Sequence, residues 1–416
     1  MDAASNRSDR EKKKSGALAL LALAISAFGI GTTEFVPVGL LSSLADHLNI
    51  SISLAGLLIS GYALGVAFGA PILTALTNKI SRKTLLMLLM IVFIAGNSAA
   101  ALSTSFGMLL TARIITAFSH GVFFSIGSTI AADLVPEHKR ASAIAIMFTG
   151  LTVATVTGVP LGTFIGQFFS WRATFWSVAI LGLVAIIASA LLIPKQLKEA
   201  PPAKFSDQLN ILRNGPLLLA FSITALGYGG TFVAFTYLAP ILEKITGYAS
   251  SSVSLILLVY GIAIAVGNTI GGKLADKNPL KALFWMFIVQ AIVLVVFSFT
   301  APFKVWGTMT IVVLGLLAFM NVPGLQVYVV KLAEKYAPSA VSVASAFNIA
   351  AFNLGIAIGA FVGGLIVNTI GLIHTPWIGG VMVLGAVLLT GWSRALEEKK
   401  KNADKILRVN QNELTI

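Results

Sequence analysis

From Tyr336 to Ser393 the chain contains no Asp, Glu, Lys or Arg. A helix that crosses a bilayer needs ~20 apolar residues, so this stretch is too long for one crossing. Gly371 and Pro376 mark the turn that divides it into two. Uncharged runs of the same kind recur upstream. They predict helices over 16–42, 52–77, 84–103, 106–132, 141–166, 172–193, 215–240, 250–272, 281–300, 305–330, 342–368 and 375–394. The fold class is therefore an all-α membrane protein with twelve transmembrane helices.

Composition narrows the function classes. Charged residues make up 11% of the chain and hydrophobic residues 57%, against roughly 25% charged in soluble proteins. The mean hydropathy is +0.91. Cysteine is absent, which excludes disulfides and thiolate metal sites. The histidines, at 47, 120, 138 and 374, lack metal-ligand spacing, so no cofactor is expected. A net charge of +13 raises the question of nucleic acid, but the charges sit in short clusters between apolar runs. Lys and Arg in cytoplasmic loops give the same total. With both termini cytoplasmic, all 29 Lys and Arg fall on that side except Arg113, Arg172, Lys244 and Lys304. The first run follows a basic segment but is too long for a cleaved signal peptide and lacks a clear cleavage site.

The chain divides into a basic N-terminal tail (1–15), a six-helix bundle (16–193), a cytoplasmic linker (194–214), a second six-helix bundle (215–394) and a cytoplasmic tail (395–416). A short interfacial helix is expected at 205–213. The bundles echo each other. "TALTNKISRK" at 74–83 corresponds to "GKLADKNPLK" at 272–281, and "VPEHKRASA" at 135–143 to "APSAVSVASA" at 337–346. Parallel repeats about an axis along the membrane normal are a transporter architecture.

These residues resemble the major facilitator superfamily over the whole chain. Its loop signature between the second and third helices has the form G-x-L-A-D-R-x-G-R-K. The first copy here is degenerate, with Thr74, Asn78 and Ser81 at the Gly, Asp and Gly positions, and it keeps Lys79, Arg82 and Lys83. The second copy keeps Gly272, Leu274, Ala275, Asp276 and Lys277. "GVPLGTFIG" at 158–166, with Gly158, Pro160 and Gly162, is similar to the fifth-helix motif of the superfamily's exporters. Together with "GIGTTEFVPVGLL" at 29–41 and "SAFNIAAFNLGIAIGA" at 345–360, it resembles the twelve-helix drug:proton antiporters. The nearest branch is the one named for arabinose, purine and chloramphenicol efflux. The resemblance implies a monomer that exports a small organic solute by alternating access, driven by a proton gradient. Uptake by proton symport on the same fold is the alternative direction.

Ionisable groups inside a span cost ~2.5–3.5 kcal/mol at the bilayer centre on insertion scales and mark function. Glu34, Arg113 and His120 lie deep, all in the first bundle. Glu34 is ~13 Å and Arg113 ~10 Å from the outer ends of their predicted helices, at 1.5 Å per residue. The superfamily fold sets the first and fourth helices side by side. A Glu34–Arg113 pair, direct or through water, makes Glu34 the candidate proton site, with a permanent ion pair as the alternative. Arg113 matches the arginine of the family's fourth-helix motif. His120 shares a face with Arg113 and has three open roles: proton relay, substrate contact, or hydrogen bonding to a carbonyl. Phe35, Phe124, Phe148, Tyr237, Asn321 and Asn348 are the candidate substrate contacts, since an apolar pocket with a few polar groups suits amphiphilic ligands. Gly150, Gly158, Gly162 and Gly166, like Gly355, Gly359 and Gly363, put small residues on one helix stripe. The fifth and eleventh helices are the expected seams on which the bundles rock, with static packing as the alternative. No P-loop, H-E-x-x-H or G-x-S-x-G motif supports an ATPase or hydrolase, and the tail is too short for a signalling domain. The chain is thus not expected to be an enzyme, and a membrane sensor is the alternative from a different class.

Overall fold

In hydrocarbon every backbone N–H and C=O must be paired within the protein, and helices do this segment by segment. The computed structural model describes residues 2–77, 80–136, 140–194, 197 and 210–413. Side chains within these ranges are described except at 2–15, 71, 74, 75, 140–142, 276, 277, 339, 342 and 400–413. Among the described residues there is no strand, and twelve helical segments are long and apolar enough to cross a membrane.

The first bundle comprises α1 (Asp2–Leu48), α2 (Ile52–Leu76), α3 (Arg82–Leu102), α4 (Phe106–Asp133), α5 (Arg140–Phe168) and α6 (Trp171–Leu192). The second comprises α7a (Gly215–Phe235) and α7b (Leu238–Lys244), α8 (Ser250–Lys277), α9 (Pro279–Thr300), α10a (Lys304–Ala318) and α10b (Val322–Tyr336), α11 (Val341–Thr369) and α12 (Thr375–Glu413). Short polar residues start several helices. The side chains of Ser51, Ser105, Ser170, Asn214 and Asn278 accept from the backbone N–H three residues on, at 3.0–3.3 Å, which satisfies donors that a helix start leaves open. The turn expected between the last two helices forms at Gly371, whose φ of 104° favours glycine.

Four features of the helices differ from the sequence expectation. Helix α1 runs past 42 to Leu48, and α12 continues as helix beyond 394. The seventh and tenth spans are each broken. At the first break Tyr237 N–H bonds back to Ala234 O, and at the second Val322 N–H bonds to Phe319 O. Both are three-residue turns. Each break is followed by a proline in the first turn of the next helix, Pro240 and Pro323, where the missing N–H is tolerated. The interfacial helix expected at 205–213 lies mostly outside the described residues, as does most of the linker.

The bundles use the same packing plan. In the first, α1 packs on α5 and α6, α2 on α4, and α3 on α4 and α6. In the second, α7a packs on α11 and α12, α8 on α10a, and α9 on α10a and α12. The bundles meet chiefly along two seams, α2 against α11 and α5 against α8, with α1 also touching α7b. Buried apolar residues near the α1–α2 junction, among them Val38, Leu41, Ala45, Ala55, Ile59 and Val159, join one core with the second bundle. Toward the α2–α3 junction, the first bundle keeps a core of its own around Leu23, Leu86, Phe93, Phe123 and Met147. In this conformation the bundles are thus sealed together at the α1–α2 end.

Candidate functional site

Pro37 lies inside α1 and has no N–H, so the carbonyl of Thr33, four residues earlier, loses its helical donor. Arg113 of α4 supplies the replacement. Its Nη1 donates to Thr33 O at 2.5 Å, and its Nη2 to Glu34 O at 3.4 Å. Thr33 Oγ1 donates in turn to Asn97 Oδ1 of α3 at 2.6 Å, and Asn97 Nδ2 to Phe93 O at 2.9 Å. Arg113 is 1% exposed, and its guanidinium carbon lies 4.2 Å from the ring centre of Tyr62 on α2, a cation–π distance. The Tyr62 hydroxyl is 3.1 Å from His120 Nδ1. The His120 ring packs on Phe124 at 5.1 Å, and Phe124 stacks on Phe148 of α5 at 5.2 Å.

Of the expected Glu34–Arg113 pair, direct or through water, the direct ion pair does not form among the described residues. The two residues are neighbours, but Nη1 and Nη2 of the guanidinium lie on backbone carbonyls and the buried Nε is left without a partner. Among the described residues the Glu34 carboxylate makes neither an ion pair nor a hydrogen bond. Glu34 is nevertheless 9% exposed, a largely buried acid with its oxygens unclaimed by the protein.

Phe35 is buried at the junction of the bundles, 6.5 Å from Phe232 and 6.1 Å from Phe319 between ring centres. The amides expected to meet substrate are used between helices. Asn321 donates to Gln290 Oε1 at 3.0 Å, and Gln290 donates to Thr231. Asn348 accepts from Thr224 at 2.7 Å and donates to Gln326 Oε1 at 2.8 Å. Both asparagines are fully buried, so in this conformation they tie helices together. Tyr237 stands at the α7 break and is also fully buried. Its hydroxyl donates to Ala360 O of α11 at 2.9 Å, and a Cβ on Gly56 of α2 would lie 2.1 Å from it. Tyr237 therefore fills the α2–α11 seam and is no pocket wall here. A cavity of about 20 Å³ inside the second bundle is lined by Thr231, Tyr260 and Gln290 among apolar neighbours, room for one water molecule.

The loop motif holds the first bundle together. Arg82 pairs with Asp133 at the end of α4. Lys83 Nζ donates to Ala190 O at 2.9 Å and to Ile193 O, where α6 leaves its last carbonyls open. Lys79 lies outside the described residues, as do the side chains of Asp276 and Lys277. Gly272 makes ordinary contact with Pro323.

The glycine stripes face their own bundles. A Cβ on Gly150 would lie 1.9 Å from Ala24 O, on Gly158 3.2 Å from Thr32 Cα, and on Gly162 2.7 Å from Val36. All three partners are on α1. The stripe of α11 packs likewise on α7a, with a Cβ on Gly359 falling 2.1 Å from Gly229 O. Helices α5 and α11 do line the seams between bundles, while the glycines of their stripes contact helices of their own bundle. At the α5–α8 seam the contributor is Pro160. It orphans Val156 O, and a Cβ on Gly261 of α8 would lie 2.3 Å from that oxygen.

Twelve apolar helices without a strand among the described residues agree with what comparison with known proteins finds. The family model described as Major Facilitator Superfamily matches residues 23–348. The chain belongs to that superfamily. It is 64% identical to the MFS-type transporter YtbD of Bacillus subtilis strain 168, over 93% of this chain and 98% of that one. It is 39% identical to the inner membrane transport protein YdhP of Escherichia coli K12, over 89% and 94%. A D-xylose–proton symporter shares the fold with a TM-score of 0.73 at 17% identity, over 90% of this chain and 96% of that one. A bacterial homologue of the lysosomal transporter Spinster, in its inward-facing form, gives 0.67 at 17%, over 92% and 96%. The chain is a multi-pass membrane transporter of this superfamily.

Sequence reasoning missed three members of the site. Pro37 was legible, since a proline inside an apolar span always frees the carbonyl four residues before it. Asp133 was legible as an acid at the end of a span facing a basic loop. Tyr62 gave no signal, being one tyrosine in an apolar helix.

Proposed function

We propose that the protein exports a small organic solute in exchange for protons, with Glu34 as the group that carries the proton. The observation that carries this reading is the state of the Glu34 carboxylate. It is buried next to Arg113, whose Nη1 and Nη2 donate to α1 carbonyls, and among the described residues the carboxylate has no fixed partner. A proton can fill that role in one half of the cycle and leave in the other without breaking a structural ion pair. A permanent pair would have locked α1 to α4 in a single charge state.

Orientation follows from the charge asymmetry of the loops. With both termini in the cytoplasm, the α1–α2 end is the outer end. The conformation is then closed to the outside, and Glu34 awaits a solute from the cytoplasm. Export is the direction implied by the resemblance of "GVPLGTFIG" to the exporters' motif. The proposed solute class is a drug, a sugar or a nucleoside or purine. Inverted membrane vesicles with an imposed pH gradient, acid inside, test this reading against a panel of sugars, nucleosides and antibiotics. Gradient-driven accumulation of one compound inside is expected. Accumulation driven only by the opposite gradient would make the protein an uptake symporter.

A further inference from the structure

The contact between Tyr62 and His120 decides where the imidazole keeps its proton. Tyr62 is 1% exposed and His120 4% exposed. Among the described residues the Tyr62 hydroxyl bonds only to His120 Nδ1. If Nδ1 carried a proton and donated it, the tyrosine O–H would have no acceptor, and a buried unpaired donor is costly. The tyrosine therefore donates, Nδ1 accepts, and the ring proton is on Nε2. An imidazolium needs protons on both nitrogens, so this hydrogen bond cannot persist with one.

The surroundings agree. The charged groups on this side of the bundle are Arg113 of α4, stacked on the other part of the same tyrosine, and Glu34 of α1. Helix α2 contributes Tyr62, α3 the neutral Asn97, and α5 the apolar Phe148. From the second bundle Tyr228 packs on Phe232, whose ring centre is 6.5 Å from that of Phe35 next to Glu34 in sequence. An imidazolium would place a second cation beside a tyrosine that already carries Arg113 on its face.

We infer that Tyr62 is a positioning residue that holds His120 as a neutral Nε2–H donor, which takes the imidazole off the proton path. His120 then offers one N–H beside the Phe124–Phe148 stack. That combination suits a solute with a flat apolar body and a carbonyl or hydroxyl oxygen at its edge. The inference rests on the proton-exchange reading only in saying which group is left to carry the proton.

Nitrogen NMR of the full chain in lipid bilayers, labelled at histidine, reads the tautomer directly without any substrate. His120→Gln identifies the signal. His374, whose Nδ1 accepts from the Trp377 indole N–H at 3.0 Å, is an internal check of the fold. From about pH 5 to pH 8, where free histidine titrates, His120 is expected to keep an unprotonated Nδ1 and a protonated Nε2. In Tyr62→Phe the His120 signal is expected to become titratable or to mix tautomers, with His374 unchanged. A protonated Nδ1 in the parent protein, or a His120 signal indifferent to Tyr62→Phe, would overturn the inference. Neither result bears on whether Glu34 carries the proton, which is tested separately by substitution at that residue.

Discussion

Pro37 withholds one N–H from α1, and Arg113 brings the replacement from α4. That exchange makes a sharp test possible. Arg113→Ala leaves Thr33 O buried and unpaired, a loss of about 1–3 kcal/mol. Pro37→Ala restores the helical donor, so Pro37→Ala/Arg113→Ala is expected to be more stable than Arg113→Ala alone. Denaturant unfolding in detergent measures both, and a coupling energy near zero in the double-mutant cycle would remove the link. At this scale the sequence revealed which side chains were unusual, because an ion in an apolar span stands out. It did not reveal what they touch. Arg113 was legible as a partner for α1, but its target was the backbone, and only the register of Pro37 with Thr33 could have said so. Asn321 and Asn348 stood out for the same reason and proved to be bonded between helices.

Helices α1 and α5 approach so closely because every fourth residue of α5 from Gly158 to Gly166 lacks a side chain on the α1 side. Gly162→Leu would drive its branches into Val36, and overpacking costs ~1–3 kcal/mol. It is therefore expected to lower the yield and melting temperature of folded protein. A normally stable but transport-stalled Gly162→Leu would restore the glycine stripe to the rocking seam. Gly359→Val in the second bundle should behave like Gly162→Leu, since it meets Gly229 O of α7a in the same way. Helix number was legible because apolar length is a property of each segment alone. The breaks in the seventh and tenth spans were not. Pro240 and Pro323 each permit either a kink or a restart, and the choice is made by packing against the neighbouring helices. The direction of a glycine stripe is hidden for a related reason, since spacing gives a face but not the helix that faces it.

Across the whole molecule the two bundles share one packing plan, and the plan also places the seams symmetrically, α2 on α11 and α5 on α8. The α5–α8 seam brings Val156 O against Gly261, so a side chain there should disfavour the present conformation while leaving each bundle folded. The chain lacks cysteine, and introduced pairs report cleanly. Gln167 Nε2 donates to Ser250 O across this seam. Gln167→Cys/Ser250→Cys is expected to crosslink with a short bifunctional reagent, and several-fold less when Gly261→Val is added. Equal crosslinking in both would mean that the Gly261 contact does not govern closure. The repeated loops pointed to two halves, while the conformation was not legible, because every state of a transporter is built from the same sequence. The claim on which the functional reading depends is that Glu34 carries the coupled proton. Purified Glu34→Gln in proteoliposomes tests it most directly, with solute counterflow and pH-driven transport compared on the compound found in the vesicle screen. Counterflow is expected to persist, because it needs no net proton movement, while pH-driven transport falls to background. Transport driven by the pH gradient at the parental rate in Glu34→Gln would contradict the assignment.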